Sequence, residues 1–518
     1  MKRSTPLLLL VAVIMATHVF GQNESTLYNM NSLPQSVDVN PAIQPRYKLS
    51  IGLPFISSFG AIYSNNGFTY NDMITKVDGV VKADLSKWTQ GLAAQNYITV
   101  TAQADLFRLG LRLNPKMYLM VSSSVKGYNR TMLEKGLASL IVDGTAPLVG
   151  SYSNTSPKEE GVSYVETAAG LSYKMNDRLT LGARLKYYKG LMNVTTQYSS
   201  LIVQVDNNYL ITATGDAQVR TSGIQNLNSS GYKLQDHTGD YLRNTGFGLD
   251  IGATYKFHDK LTFSASLIDI GYINWKNNTY QYTLDPAKAK YTFGGIDMAK
   301  LVDKNTSYLS AQGDSIQAKF KMQETAISSY STALPLKMYL GANFELMPNL
   351  NLGALFFSES FQGRYASGMT VSANKNFGKT LSTSLSYTVS NRSYNNVGLG
   401  VSVNVSPVQI YLVGDNLLRA PGSLIVNQNL NSYLNSSQVI SFRAGLNIVM
   451  GWDKGLTPKV KVSDNDANPK ENSSNAKVKT TYGRSPAKKD HPKAAKRQKT
   501  LKNHHKSVKK PAKSKVGR

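Results

Sequence analysis

The stretch Val397-Gly398-Leu399-Gly400-Val401-Ser402-Val403-Asn404-Val405 alternates without a break. Its odd positions are Val or Leu and its even positions Gly, Ser or Asn. A period of two places each set on its own face of an extended strand. One face is therefore wholly apolar and the other small and polar. The pattern recurs in residues 179–187, where Leu179, Leu181, Ala183, Leu185 and Tyr187 oppose Thr180, Gly182, Arg184 and Lys186. Residues 381–389, 245–255 and 440–450 follow the same rule.

Turn residues separate these runs. Asn114-Pro115, Asn176-Asp177, His258-Asp259, Pro348-Asn349, Phe377-Gly378 and Ser406-Pro407 mark six tight turns, most with residues that favour turn backbone. The other strand ends are joined by longer polar segments: 64–96, 129–161, 192–244, 276–335 and 416–438. Short turns at one end and long loops at the other predict a transmembrane antiparallel β-barrel. Six turns flank twelve strands; a first strand near 47–57 and a last near 439–450 bring the expectation to about 14, within a range of 12–16. The even number puts both termini on the short-turn, periplasmic side. A soluble β-sandwich or propeller is the alternative all-β fold, but its strands bury or mix both faces. Here one face suits lipid and the other a wet or plugged lumen. The 30 tyrosines against 16 phenylalanines fit an interfacial girdle, with Tyr173 and Tyr187 as examples; ordinary cross-strand packing is the other reading of these two.

The chain has 518 residues, no cysteine and a formal net charge of +26. Such a charge raises the question of nucleic acid, and its location answers it. Residues 453–518 hold 20 Lys/Arg and 5 Asp/Glu, whereas residues 22–452 carry 36 and 27. The excess is concentrated in a Lys-, Pro- and Ser-rich tail too poor in apolar residues to fold, so 453–518 is expected to be disordered. Residues 1–21 read as a secretory signal peptide: Lys2-Arg3, a ten-residue apolar run from Leu7 to Ala16, then Gly21 before the cut. An exported chain excludes nucleic acid as the expected partner. The resulting division is 1–21 signal peptide, 22–46 extended N-terminal segment, 47–452 barrel and 453–518 tail.

The residues Leu27-Tyr28-Asn29-Met30, Leu33-Pro34-Gln35-Ser36, Asn40-Pro41-Ala42 and Gly52-Leu53-Pro54 resemble the start of an uncharacterised family of Bacteroidetes outer-membrane barrels, a domain of unknown function. The Asn-Pro-Ala element is similar to one in barrels associated with gliding and type IX secretion, and the strand number to that of long-chain fatty-acid transporters. The resemblance implies an outer-membrane location and transfers no functional residue. The segment before the first strand is short for a plug, and its prolines make it stiff. It reads as an ordered lead-in; the alternatives are that it lines the lumen or acts as a periplasmic strap.

Little in the chain suggests catalysis or a cofactor. The mature histidines are His237 in a loop, His258 in a turn, and His491, His504 and His505 in the tail; none sits in a hydrolase-like pattern. Asp464-Asn465-Asp466 begins like a calcium loop but fails at Pro469 and Asn475. No catalytic, cofactor or metal site is expected. The candidate lumen charges are Glu166, Lys174, Arg184, Lys186, Asp250, Lys256 and Arg443, all on polar strand faces. They could set the selectivity of a solute path, form ion pairs that close the lumen, or lie near its rim. The 60-residue segment 276–335 is the expected plug or lid. Within it, Asp314-Ser315-Ile316 makes Ser315 a candidate O-glycosylation site.

Two functions follow. One is a passive or gated channel for small or amphipathic solutes. The other is a structural or assembly barrel, whose basic tail binds peptidoglycan, anionic lipid or an acidic periplasmic protein.

Overall fold

The alternating stretches pair into a closed antiparallel barrel in a computed structural model, which describes residues 24–68, 73–77, 80–225, 243–294, 306–361, 364–390, 393–416 and 439–452. The wall has fourteen strands. The first, β1, is in two pieces, Tyr47–Gly52 and Phe59–Asn65; then come β2 Gln95–Asn114, β3 Met117–Glu134, β4 Lys158–Lys174 and β5 Leu179–Val205. They are followed by β6 Thr245–His258, β7 Leu261–Trp275, β8 Leu336–Met347, β9 Leu350–Phe361 and β10 Arg364–Phe377. The last four are β11 Leu381–Ser390, β12 Ser393–Val405, β13 Val408–Asp415 and β14 Val439–Trp452. Each pairs with its sequence neighbour, and β1 closes the ring on β14 with Tyr47 opposite Trp452 and Ile51 opposite Ile448. Closure leaves no wall edge with unpaired backbone groups, which is what a strand structure in lipid requires.

The six predicted turns all connect wall strands, and the termini of the wall lie at the turn end. Burial runs opposite to that of a soluble core. Leu185 is 71% exposed on the outer face of β5, while Lys186 beside it is 3% exposed inside. In β11, Leu385, Tyr387 and Val389 face out, and Ser384, Ser386 and Thr388 are buried. An apolar outer face around a polar interior is the expected surface of a barrel solvated by lipid. No helix among the described residues is long and apolar enough to cross a membrane.

The wall is uneven in height. β5 has 27 residues, far beyond the ten or so that cross a bilayer, so it continues past the membrane. There it pairs with a further strand, Ile211–Ser222, which in turn pairs with Thr279–Leu284 and Lys290–Phe293. The segment expected as a plug thus contributes strands that extend the wall's sheet. Its strands Gln323–Ala326 and Tyr330–Ala333 extend the same sheet against Thr279–Leu284 and β7. Sequence pattern missed them because strands of four to six residues carry too few alternations to register. Its return stretch reaches inward, where Tyr330 and Leu334 pack on Trp275, Ile273, Tyr164 and Tyr188.

β1 is interrupted by residues 53–58, which stand opposite only 105–107 of β2 and 445–446 of β14. This wide bulge turns Phe55 and Ile56 outward and buries Ser57 and Ser58 against the lumen.

Candidate functional site

The lumen is filled by residues 24–46. This corrects the expectation of an extended lead-in: the segment folds into a helical turn, Ser25–Tyr28, and a 3-10 turn, Pro34–Asp38. Pro34 starts the second turn, where its missing N–H costs nothing and its fixed φ is already suitable. Asn40 then reverses the chain by accepting the Ala42 N–H at 2.9 Å. Five plug residues, Leu27, Tyr28, Met30, Leu33 and Val39, join Ile268, Tyr339, Leu355, Phe357, Tyr411 and Val413 of the wall in one buried apolar cluster. Tyr28 stacks on Tyr339 with ring centroids 5.3 Å apart. Several tyrosines, including Tyr118, Tyr164, Tyr188 and Tyr411, are buried here. The tyrosine excess therefore serves the lumen as well as any outer girdle; Tyr173 is partly exposed and Tyr187 packs on Phe247.

Small inward residues make room for this plug. A Cβ at Gly182 would lie 2.1 Å from the Pro41 carbonyl oxygen, and one at Gly400 would lie 2.2 Å from the Met30 sulfur. Polar wall side chains bind the plug backbone directly. Ser266 donates to the Val39 carbonyl at 2.6 Å, Ser172 to Ala42 at 3.1 Å and Gln409 to Ser32 at 3.0 Å. Gln35 and Asn447 exchange two amide hydrogen bonds at 2.8 and 3.1 Å. The segment's successive turns satisfy part of its backbone internally, as in Leu33 N–H to Met30 and Ile43 N–H to Asn40, and the wall supplies partners for carbonyls the turns leave open.

Charge organises the rest. Asp38 receives four guanidinium hydrogen bonds: Arg108 to both oxygens at 3.1 and 2.7 Å, Arg184 to Oδ1 at 3.1 Å, and Arg443 to Oδ2 at 2.7 Å. Arg108 also grips Asp105 at 2.7 Å, and Arg443 pairs with Glu24 at 3.0 Å. A second cluster centres on Lys186, whose ammonium lies 2.8 Å from Asp250, 2.5 Å from Asp269 and 3.4 Å from Glu166. Lys126 and Lys337 flank it, on Glu166 at 2.8 Å and Asp269 at 2.9 Å. Arg184 joins the two clusters, at 3.6 Å from both Asp250 and Glu166. Arg130 and Glu359 pair at 2.8 Å. Buried charges persist only when matched in this way.

Of the seven candidate charges, Glu166, Arg184, Lys186, Asp250 and Arg443 are buried in these clusters. Lys174 and Lys256 instead sit half-buried at the turn end, each paired with an exposed turn residue, Asp177 at 3.3 Å and Asp259 at 2.9 Å. Periodicity overlooked Asp105, Arg108 and Asp269 for a local reason. A bulge between Asp105 and Phe107 lets both Asp105 and Arg108 face inward at a spacing of three. Asp269 has a φ of 64°, which breaks parity so that Ile268 and Asp269 are both buried. Asp38 and Glu24 were beyond any strand pattern. Ser315 lies exposed on a helix, Thr306–Lys319, outside the barrel wall. His258 occupies the β6–β7 turn; His237 and the residues 1–21 and 453–518 lie outside the described residues. Among the described residues no group of His, Asp or Glu is arranged to hold a metal ion.

Beside the plug is a recess of about 90 Å³. Glu24, Thr26 and Leu27 of the plug line it together with Tyr128, Val162, Tyr164 and Val413, and with Lys126, Lys337 and Arg443. It is amphipathic: apolar and aromatic walls carry charged groups of both signs, Asp269, Glu359 and Asp415 among them.

Comparison with solved structures gives barrels at low identity. A Pseudomonas aeruginosa FadL homologue is 11% identical, covering 83% of this chain and 99% of its own, with a TM-score of 0.37. The Pseudomonas putida toluene transporter TodX is 8% identical over 84% and 98%, TM-score 0.32. The translocator domain of the autotransporter NalP from Neisseria meningitidis is 9% identical over 82% and 96%, TM-score 0.29. No curated protein matches the chain. The model of a family of unknown function, DUF5723, matches residues 41–415, and the chain belongs to that family.

Proposed function

We propose that this DUF5723 barrel is a gated outer-membrane channel for small amphipathic solutes, held here in a closed state by its own N-terminal segment. The observation that carries the reading is that residues 24–46 occupy the lumen and that three of them, Glu24, Thr26 and Leu27, line a recess of about 90 Å³ together with the wall. Every wall strand is paired on both sides by other wall strands, so the ring does not depend on the plug for its ladder. The plug is held by apolar contact, hydrogen bonds and ion pairs, with no strand pairing of its own to the wall. Such contacts can be exchanged for contacts with a solute. In this reading the turn end and both termini face the periplasm, and residues 453–518 extend there.

A second reading has its own support. The plug closes the lumen with paired charges and satisfied polar groups, as suits a structural or assembly barrel that anchors envelope components through its basic tail. Planar-bilayer conductance and solute uptake into liposomes separate the two. The channel reading expects discrete conductance steps and uptake of small amphipathic solutes by the full-length protein. A barrel that inserts, shows no steps and admits no solute refutes it. The structural reading instead expects envelope partners to be recovered with the full chain and lost when 453–518 is removed.

A further inference from the structure

We propose that the arginines around Asp38 form a carboxylate-binding site that the protein's own side chain occupies in the closed state, and that the solute is an organic carboxylate with an apolar end. This rests on the channel reading and adds the solute's chemical class to it.

The geometry is that of carboxylate recognition. Arg108 meets both oxygens of Asp38 through two nitrogens, while Arg184 and Arg443 add one hydrogen bond to each oxygen. The planar guanidinium fork fits a carboxylate in a way an ammonium does not. The three arginines come from β2, β5 and β14, so the site is set by the ring and not by the plug. Ser58 fixes one of them, accepting from Arg443 Nε at 2.7 Å, and the bulge in β1 is what turns Ser58 inward.

Charge then selects the occupant. The plug contributes Glu24 and Asp38. Among the described wall residues, the cations Arg108, Arg130, Arg184, Arg443, Lys126, Lys186 and Lys337 pair in these clusters with Asp105, Glu166, Asp250, Asp269 and Glu359, and a further buried carboxylate, Asp415, accepts from Thr26 of the plug. Withdrawal of the plug takes away Glu24 and Asp38, the two carboxylates that pair with buried Arg443, and leaves a positive charge unmatched, which is costly. An anion resolves that imbalance and a cation aggravates it. Arg443 connects this site to the recess: one nitrogen reaches Glu24, which lines the recess, and the other reaches Asp38. Leu27, Tyr128, Val162, Tyr164 and Val413 around the recess supply apolar contact for the other end of the solute. Asp38 is tethered and competes at high effective concentration, so the solute binds weakly until Asp38 is removed.

Two measurements on the full-length protein test this. The chain has no cysteine, and Ser36 is buried in the plug, so Ser36→Cys gives a maleimide-labelling reporter of plug release. Octanoate is expected to accelerate labelling saturably by about tenfold or more, whereas octylammonium, and chloride or inorganic phosphate at matched ionic strength, leave it unchanged. Calorimetric titration of Asp38→Ala is expected to show octanoate binding at least about tenfold tighter than in the parent, and Arg184→Ala added to it to remove that gain. Equal acceleration by octanoate and octylammonium, or no effect of either, overturns the proposal. The labelling arm stands even where Asp38→Ala does not fold. Octanoate-specific release without solute uptake would reject the channel and retain the site; uptake without carboxylate preference in labelling would reject the site and retain the channel.

Discussion

Substituting Gly182 by alanine should unseat the plug without disturbing the barrel ladder. The added Cβ would stand 2.1 Å from the Pro41 oxygen, 2.2 Å from its carbonyl carbon and 2.5 Å from the Ala42 nitrogen. All three are backbone atoms, so no side chain can rotate away. Ordinary contact begins at 3.4 Å, and the plug must retreat by about 1.3 Å to reach it. Overpacking of this kind costs about 1–3 kcal/mol. Loss of the neighbouring Ser172 hydrogen bond to the Ala42 carbonyl adds about 1 kcal/mol. A total of about 2–4 kcal/mol raises the released population about 30- to 1000-fold. Maleimide labelling in the Ser36→Cys background reads that population directly when release is fast relative to reaction. Gly127→Ala is the control, since its Cβ would meet only the Ala102 oxygen, at 4.0 Å. The seating argument fails if Gly182→Ala labels at the Gly127→Ala rate while both variants keep the heat-modifiable migration of a folded barrel.

Two further outcomes are expected. Lys186→Met leaves Asp250 and Asp269 buried without the ammonium they share and should cost about 3–5 kcal/mol in denaturant unfolding; Lys174→Ala and Lys256→Ala, each paired with an exposed turn residue, should cause no measurable change, and equal losses in both classes would contradict the burial argument. The full chain should bind vesicles containing anionic lipid at low salt, through residues 453–518, and binding that survives high salt or removal of the tail would show that the tail's charge is not responsible.

The wall was legible because lipid imposes a simple rule on it. Each strand must show an apolar face outward, and closure must satisfy every backbone group. Alternation such as that of residues 397–405 therefore determines strand, face and, with the six turn signals, the strand number. The same alternation located Glu166, Arg184, Lys186, Asp250 and Arg443 on the inner face. It said nothing of what they meet. Arg184 and Asp38 are 146 residues apart in the chain, and Arg443 and Asp38 are 405 apart. Only ring closure brings β2, β5 and β14 around one carboxylate.

Periodicity also fails where backbone geometry departs from the regular strand. The bulge beside Asp105 and the positive φ at Asp269 each turn inward a charge that strict parity would point at lipid. The identity of the plug was likewise a tertiary decision. Inward Gly182 and Gly400 announce vacant space, but a vacancy is equally suited to solute, loop or terminus. Residues 24–46 fill it because their apolar side chains and free backbone groups find partners on many strands at once, and no local pattern encodes a sum over distant contacts. Sequence alone determined the barrel, since each strand meets the same solvent; tertiary structure decided what occupies it, since the lumen is a different environment at every position.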